Sequence, residues 1–414
     1  MDNFKKFIQK RFFIVLGVFI AVIVISLSII MILLFNIDSF NNTQITTTGI
    51  IEDEEDIVVG IYDKYDINSY MLPIWASKIV YNESLMFVRS KDGSLESAPL
   101  LYSPSKIISV RSFDLATEYV QGQDYELSDG KIKLTDNTPI FVWANDAYYP
   151  TKAITGGSFG CSLGGNIKYG EADTFFKTQI VVTYEHKDKW GGIIPKYQGD
   201  KIPKTMEKLK NKEPLKIVFY GDSITVGCNS SGWDSLKKAP FAPIWPKMLV
   251  DYLDQEFGTK IQSANTAVGG QTATWGLTEV ENRVNRNNPD LVVIAFGMND
   301  GGTVNAEAFK KIINDIIDAV IAKHPDAEFI LVSTTLPNKE VAGFYGFQYT
   351  YEKVLNDISN ERNYVAVAPM TSMHQQLLIK KRFYDMTANN VNHPNDFLAR
   401  IYAQTIAKVF LEKY

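Results

Sequence analysis

Four short polar segments contain residue types that could act together on a carbonyl compound. In chain order they read GDSITVG, NTAVGGQT, FGMND and NNVNHPND, and they occupy residues 221–227, 265–272, 296–300 and 389–396. Together they offer a serine hydroxyl, glycine N–H groups, an asparagine amide and a histidine imidazole. Acyl transfer needs such groups to attack a carbonyl carbon, to stabilise an oxyanion and to move a proton.

Ser223 follows the apolar run Leu215–Tyr220 directly and lies between Gly221 and Gly227. A serine hydroxyl becomes an effective nucleophile only when a neighbouring base takes its proton. Taken alone, Gly-Asp-Ser could be only a helix cap, because Asp and Ser are common at helix N-termini. The segment is therefore a candidate nucleophile that needs a partner elsewhere in the chain.

The other three segments supply candidate partners. Gly270 offers a backbone N–H where a reacting carbonyl could approach, although a tight turn is the alternative interpretation of the glycine pair. The Asn299 amide could donate to a developing oxyanion, and loss of such a donor typically costs about 10²–10³ in rate. His393 directly precedes Pro394 and lies among residues that typically start a helix, which places it at the beginning of the last predicted helix.

The elements that must position these groups alternate along the C-terminal half of the chain. Near-continuous apolar runs occur at residues 215–220, 290–296 and 328–333, and weaker ones occur at 261–264 and 364–368. Helical patterns separate or follow them at residues 244–257, 276–287, 305–323, 347–361 and 396–412. Buried strands that alternate with helices predict an α/β fold with a parallel sheet covered on both faces. Ligands bind beyond the carboxyl ends of such strands, where the first three segments lie.

In this order, the four segments resemble the consensus blocks of the SGNH hydrolase superfamily, the GDSL-type esterases and lipases. The resemblance covers about residues 214–414. It implies a flavodoxin-like three-layer α/β/α domain, which agrees with the alternation of strands and helices. It also implies that Ser223 is the nucleophile and His393 the general base. The N–H groups of Ser223 and Gly270, with the Asn299 side chain, would form the oxyanion hole.

One position departs from the family pattern. The family usually has an Asp three residues before the histidine, and this chain has Asn390 there. An Asn can accept a hydrogen bond from Nδ1–H, but it cannot stabilise an imidazolium by charge. We therefore expect either a Ser–His dyad, which is the favoured hypothesis, or a different carboxylate that orients His393. Asp385 and Asp396 are the nearest candidates for that carboxylate.

Residues 57–200 contain short runs rich in Ile, Val, Tyr and Phe that are separated by turn formers. This pattern predicts a jelly-roll-like β-sandwich, which residues 201–213 connect to the SGNH domain. Ser–His dyads occur among those superfamily members that deacetylate polysaccharides and also carry an N-terminal β-sandwich. The resemblance thus favours a carbohydrate esterase with an acyl-Ser223 intermediate and an acetylated carbohydrate as substrate. A lipase or thioesterase with the same site, or a glycan-binding protein with a decayed site, are the alternatives.

The N-terminus predicts a membrane anchor. Residues 12–35 include no charged side chain, and a helix of about 24 residues reaches roughly 36 Å, enough to span a bilayer. Residues 1–11 are basic, whereas residues 37–56 are polar and then acidic. The positive-inside rule therefore predicts a cytoplasmic tail, a signal-anchor helix over residues 12–36 and a linker over 37–56. The catalytic domain would then lie outside a plasma membrane that the chain crosses once.

Composition excludes several other functions. The net charge of −5 and the pI near 5.6 give no electrostatic reason to expect nucleic acid as a partner. No His or Cys pair has metal-ligand spacing and no phosphate-binding loop is present, so we expect neither a metal nor another cofactor. Cys161 and Cys228 could form one disulfide bond or be two buried thiols. Trp233, Trp245 and Trp275 either line a sugar pocket or belong to the core.

Overall fold

Short antiparallel strands form the N-terminal part of the computed structural model, which describes residues 61–414. The strands are β1 (Ile79–Met86), β2 (Ala98–Pro99), β3 (Pro104–Ser112), β4 (Tyr125–Ser128), β5 (Lys131–Leu134), β6 (Ser158–Gly160), β7 (Asn166–Lys168) and β8 (Gln179–His186). They form three small sheets with the orders β1-β8-β3, β2-β5-β4 and β6-β7. Two short helices accompany them, α1 (Ile67–Tyr70) and α2 (Asn145–Tyr148). The jelly-roll-like sandwich stays a prediction.

A five-stranded parallel sheet forms the centre of the C-terminal part, as the sequence predicted. Its strands are β9 (Lys216–Gly221), β10 (Gln262–Asn265), β11 (Leu291–Ala295), β12 (Glu328–Val332) and β13 (Val365–Ala368), in the order β10-β9-β11-β12-β13. The helices are α3 (Pro203–Asn211), α4 (Ser223–Val226), α5 (Trp245–Phe257), α6 (Ala273–Arg283), α7 (Ala306–Ile321), α8 (Gln348–Glu361), α9 (Met370–Lys380) and α10 (Asp396–Phe410).

The apolar runs of β9, β11, β12 and β13 are buried because helices cover both faces of the sheet, whereas the edge strand β10 is largely exposed. In β9, Ile217 and Phe219 belong to one buried cluster, which includes residues of α5 and α10. Val218 and Tyr220 belong to a second cluster with residues of α6, α7 and α8. Alternate residues of a strand point to opposite faces of a sheet, so the two clusters are the two layers of packing. This part of the chain therefore has three layers, with the carboxyl ends of the strands at one edge.

Two helices longer than four residues lie where the sequence predicted none. Helix α3 lies within the predicted connection of residues 201–213, begins with Pro203 and ends before Lys212, which has φ +58°. Proline suits the first turn of a helix because its missing N–H has no intrahelical partner there. Helix α9 buries Met370, Met373 and Leu377, and this spacing is typical of one apolar helix face.

The N-terminal strands pack directly against the C-terminal part. Every residue of β1 is buried, and within it the Glu83 carboxylate pairs with the Lys381 ammonium at 2.5 Å, with both side chains fully buried. The Gln404 side chain of α10 donates a hydrogen bond to the Tyr70 carbonyl oxygen at 2.6 Å. All the described residues belong to one compact unit.

Three of the sequence predictions fall outside the described residues: the tail at 1–11, the membrane span at 12–36 and the linker at 37–56. Within residues 61–414, no helix combines the length and the apolar character that a membrane crossing requires.

Candidate active site

A tight strand–turn–helix places Ser223 at the carboxyl edge of the sheet. Strand β9 ends at Gly221, and Asp222 caps α4, because its Oδ1 accepts a hydrogen bond from the Ile224 N–H at 3.0 Å. A Cβ on Gly221 would collide with the carbonyl oxygen of Ala295 on the next strand. Glycine is therefore required where the chain leaves the sheet, and Ser223 becomes the first residue of the helix.

Ser223 and His393 form the hydrogen bond that a serine nucleophile and its base require. The Oγ atom of Ser223 lies 2.9 Å from Nε2 of His393. On the other side of the ring, Nδ1 lies 2.5 Å from Oδ1 of Asn229. The Asn229 amide is oriented by its Nδ2, which donates to the Ala172 carbonyl oxygen at 3.2 Å. Since Asn229 offers an acceptor, Nδ1 carries the proton and Nε2 is free to accept the serine proton.

A carboxylate from the N-terminal part also faces His393. Oε2 of Glu171 lies 3.4 Å from Nδ1 of His393. The other carboxylate oxygen, Oε1, accepts hydrogen bonds from the Tyr169 hydroxyl at 2.6 Å and from the Asn389 amide at 3.2 Å. Burial by itself raises the pKa of Glu171, but His393 and the two donors outweigh it and lower this pKa to about 2. Glu171 is therefore ionised at neutral pH.

The loop that carries His393 is held by its own polar side chains. Oδ1 of Asn389 accepts hydrogen bonds from three successive backbone N–H groups, those of Val391, Asn392 and His393, each at 3.0 Å. The Thr387 hydroxyl donates to the His393 carbonyl oxygen at 3.0 Å. Because these bonds bind both the N–H and the C=O of His393, the position of its backbone is well determined.

The candidate oxyanion donors lie next to Ser223. A Cβ on Gly269 would stand 3.7 Å from Cβ of Ser223, and the space in front of Gly270, which has φ +75°, is open. One N–H of the Asn299 amide donates to the Gln271 carbonyl oxygen at 2.9 Å. An amide has a second N–H, so Asn299 can bind the loop of residues 269–271 through one N–H and donate to an oxyanion through the other. Strands β9, β10 and β11 thus bring the three predicted segments to one edge, and the donor roles stay predictions.

Asn390 does not orient His393, which corrects the sequence analysis. Asn390 is fully buried with φ +67°, and its Oδ1 accepts the Tyr148 hydroxyl proton at 2.8 Å. Its Nδ2 donates to the Lys168 carbonyl oxygen at 2.8 Å. Asparagine tolerates the left-handed region better than most residues, so position 390 is a turn residue that binds the N-terminal part.

The two carboxylates proposed as alternatives also have other partners, which corrects the second expectation. Asp385 is fully buried and forms an ion pair with Arg382 at 2.9 Å. Oδ1 of Asp396 accepts the Ser231 N–H at 2.8 Å, and burial raises the pKa of Asp396 to about 6. Neither has a hydrogen bond to His393 among the contacts of the described residues, because the imidazole Nδ1 faces Asn229 and Glu171.

Two residues that face His393, Glu171 and Asn229, were not predicted from the sequence. Asn229 lies one turn beyond the Ser223 helix, in a Cys-Asn-Ser-Ser-Gly segment without a distinctive spacing. Glu171 lies in a turn after β7, in the part of the chain where the sequence showed no cluster of chemical groups. No local pattern marked either residue, because both reach His393 through tertiary contacts.

The cysteines and tryptophans have different surroundings. Cys161 and Cys228 are both free thiols, so they form no disulfide bond. Trp245 is fully buried and donates from its indole N–H to the Ile224 carbonyl oxygen at 2.8 Å, which makes it a core residue. Trp233 lines a cavity of about 430 Å³ beside α4. Among residues 61–414, no cluster of three or more His, Cys, Asp or Glu side chains could hold a metal ion.

Known proteins that resemble this chain match it over limited lengths. An arylesterase of Vibrio mimicus is 31% identical over 86 residues, which is 21% of this chain and 38% of the relative. A protein of Mycoplasma pneumoniae without an assigned function is 25% identical over 172 residues, 40% of this chain and 18% of that protein. The chain therefore spans less than half the length of either of these relatives.

Solved structures with a similar arrangement include carbohydrate esterases. A two-domain esterase active on acetylated mannans has 22% sequence identity and a TM-score of 0.41, over 52% of this chain and 54% of that one. An acetylxylan esterase from Geobacillus stearothermophilus has 17% identity and a TM-score of 0.39, over 46% of this chain and 92% of that one. The model of the GDSL-like lipase/acylhydrolase family matches residues 219–400, which contain all four polar segments. The four polar segments therefore all lie in the part of the chain that is similar to GDSL-like lipases and acylhydrolases.

Proposed function

We propose that the protein is an extracytoplasmic serine esterase that removes O-acetyl groups from a polysaccharide through an acyl-Ser223 intermediate. The observation that carries the proposal is the 2.9 Å hydrogen bond between Oγ of Ser223 and Nε2 of His393. A non-catalytic protein would have no need to hold a histidine in this orientation against a serine at the edge of the sheet. The family match and the similarity to an arylesterase support ester hydrolysis.

The reaction follows from the positions of these groups. Oγ of Ser223 attacks the ester carbonyl carbon while Nε2 of His393 takes the hydroxyl proton. The negative charge on the carbonyl oxygen is stabilised by the N–H groups of Ser223 and Gly270 and by the Asn299 amide. When the tetrahedral intermediate collapses, the bond between the acyl carbon and the sugar oxygen breaks, and the imidazolium gives its proton to that oxygen, which leaves as a hydroxyl group. Water then attacks the acyl-serine with His393 as base, and acetate and the free serine result.

The proposal also includes the substrate class, an acetylated carbohydrate. The cavity of about 430 Å³ is lined by two aromatic side chains, Trp233 and Phe241. Val226 at the end of α4 and Ala267 in the loop before the glycine pair also line it. Phe241 is 59% exposed, and an exposed aromatic face offers apolar area with defined geometry, which suits the face of a sugar ring. The polysaccharide-deacetylating members of the superfamily that resemble this chain in having an N-terminal β-rich part support the same substrate class.

The decisive experiment replaces Ser223 with alanine. Ser223→Ala should abolish hydrolysis of p-nitrophenyl acetate and acetate release from an acetylated oligosaccharide, and labelling by a fluorophosphonate probe should disappear. The exposed Ser235 provides the matched control, and Ser235→Ala should keep both activities. Labelling that survives in Ser223→Ala would move the nucleophile elsewhere.

Substrate chain length separates this proposal from the alternative of a lipase or thioesterase. An acetyl esterase should hydrolyse p-nitrophenyl acetate at a higher kcat/KM than the octanoate or decanoate ester, whereas the reverse order would favour a lipase. Loss of every esterase activity in the wild-type protein, together with binding of oligosaccharide, would favour the non-catalytic alternative.

The location belongs to the proposal because the predicted anchor at residues 12–36 lies outside the described residues. If those residues span the membrane with the basic tail inside, protease added to intact cells should release a soluble, active fragment. Complete protection of the chain from a protease that cleaves a control surface protein would contradict the orientation.

A further inference from the structure

We propose that Glu171 is a positioning residue for His393, so that the N-terminal part of the chain completes the catalytic site of the α/β domain. The inference rests on the proposed function, and it assigns to Glu171 the charge that the family's usual aspartate would supply. Glu171 lies just after β7, outside residues 219–400 that match the family model. The N-terminal part would then be necessary for the chemical step and not only for binding of a polysaccharide.

Two acceptors lie near Nδ1 of His393, and each would contribute a different interaction. Asn229 Oδ1, at 2.5 Å, makes the short hydrogen bond and sets the plane of the ring. As an amide, Asn229 cannot balance the positive charge that appears when His393 takes the serine proton. Glu171 Oε2, at 3.4 Å from the same nitrogen, supplies a full negative charge. The pair thus reproduces the two functions, orientation and charge, that one aspartate performs in the serine-protease triad.

The carboxylate of Glu171 is held in place although its side chain is 44% exposed. The Tyr169 hydroxyl and the Asn389 amide both donate to its second oxygen. Oδ1 of the same Asn389 accepts the His393 N–H at 3.0 Å. One asparagine therefore connects the carboxylate to the backbone of the histidine, which keeps the separation between Glu171 and the imidazole constant.

Other ionisable groups near this corner do not offer an equivalent charge. Burial, followed by the charges of Glu171 and Asp222, raises the pKa of the Cys228 thiol to about 12, so Cys228 is neutral. Burial raises the pKa of Asp222 to about 7, and Asp222 directs Oδ1 to the Ile224 N–H within its own turn. Burial and the neighbouring Glu171 also raise the pKa of the Tyr169 hydroxyl above its ordinary value. Glu171 is the carboxylate that the described structure places against the imidazole.

The test replaces Glu171 with glutamine and measures kcat and KM for p-nitrophenyl acetate from pH 5 to pH 9. Because the charge next to the imidazolium is lost while Asn229 stays, kcat should fall on the order of 10²-fold, less than the 10⁴-fold loss in a triad whose single aspartate is changed. KM should stay within about twofold, because Glu171 acts through His393. The acidic limb of kcat/KM should move to lower pH, since the protonated imidazole has lost its counter-charge.

Glu340 provides a matched control. It accepts a hydrogen bond from the Tyr149 hydroxyl at 2.8 Å, just as Glu171 accepts one from Tyr169. No contact of Glu340 with His393 is present in the described structure. Glu340→Gln should therefore leave kcat and the pH profile unchanged, which separates loss of a charge at the imidazole from loss of a Tyr–Glu pair.

Asn229→Asp provides a second test that retains Glu171. A carboxylate at position 229 stands at the short distance from Nδ1, so it should move the acidic limb to higher pH. In the double variant Glu171→Gln/Asn229→Asp, the new carboxylate at position 229 should restore most of the kcat that Glu171→Gln loses. Full activity with an unchanged acidic limb in Glu171→Gln, or no shift in Asn229→Asp, would overturn the inference. If the wild-type protein hydrolyses no ester, or Ser223→Ala is equally active, the proposed function fails instead, so the two failures can be told apart.

Discussion

The two sides of the candidate site are built in different ways. On the nucleophile side, Ser223, the glycine pair and Asn299 each follow a strand of the same parallel sheet, and their supporting contacts come from that sheet edge. On the histidine side, the loop that carries His393 is bound by the N-terminal strands. Asp385 Oδ1 accepts the Met86 N–H of β1 at 2.9 Å, and the Asn395 amide donates to the Gln179 side chain of β8 at 3.0 Å.

This difference shows how a site can depend on a neighbouring part of the chain without obtaining its nucleophile from it. A strand end positions a side chain through the sheet itself, because neighbouring parallel strands fix each other's register. A long loop has no such ladder and needs polar partners for its backbone. Changes on the nucleophile side should therefore affect mainly the rate, whereas changes on the histidine side should cost much more stability.

The largest effect is expected at Asp385 on the histidine side. Asp385→Ala leaves the Arg382 guanidinium and the Met86 N–H without their partner, and breaking one partner of a buried ion pair costs about 3–5 kcal/mol. The free energy of unfolding, measured by urea denaturation, should fall by that amount. As a control, Asp326→Ala removes an 89% exposed partner of Lys204 and should leave the free energy of unfolding nearly unchanged. Equal losses in the two variants would contradict the comparison.

Asn299→Ala tests the nucleophile side. Loss of an oxyanion donor should lower kcat by about 10²–10³ with little change in KM. Because the hydrogen bond from Asn299 to the Gln271 carbonyl is also lost, stability should fall by about 1 kcal/mol. The exposed Asn282 is the control, and Asn282→Ala should alter neither quantity. A large loss of stability with an unchanged kcat would assign Asn299 a structural role instead.

Asn390→Asp separates two interpretations of the residue that replaces the family's aspartate. If position 390 faced His393, the new carboxylate would raise activity. In the structure, the substituted oxygen would face the Lys168 carbonyl oxygen and lose the 2.8 Å hydrogen bond that Nδ2 donates. We therefore expect a loss of about 1–3 kcal/mol in unfolding free energy, with no gain in kcat at a temperature where the variant is folded.

The smallest effect concerns buried carboxyl groups on both sides. Burial raises the pKa of Asp300 and of Asp396, each to about 6. The folded state therefore holds these protons more tightly than the unfolded chain does, and the stabilisation present below about pH 4 is lost as pH rises through about 6. Each group should cost about 1 kcal/mol of stability between pH 5 and pH 8.

Unfolding free energies at the two pH values test this expectation. Asp300→Asn and Asp396→Asn should each reduce the pH dependence, while Asp326→Asn, at an 89% exposed side chain, should not. If only one of the two buried variants reduced it, burial would differ between the sides of the site.

Local sequence patterns were sufficient to predict the parallel sheet, most of the long helices that cover it and the proximity of Ser223, the glycine pair and Asn299. These features depend on local patterns, since apolar runs form buried strands and the ends of parallel strands meet at one edge. His393 could be placed at the start of α10 for a similar reason, because helix-start residues surround it. The pairing of Ser223 with His393 was implied by the family resemblance, and the structure brings the two atoms together.

The groups that face Nδ1 of His393 became evident from tertiary contacts and not from the sequence. The sequence offered Asn390, Asp385 and Asp396 because they are near in the chain, but those side chains have other partners: the Tyr148 hydroxyl, the Arg382 guanidinium and the Ser231 N–H. Glu171 reaches the imidazole from the N-terminal part, through a loop whose course depends on how β7 and β8 pack against the α/β domain. A contact between distant segments leaves no periodicity in the sequence, because periodicity reports only the face on which a residue lies.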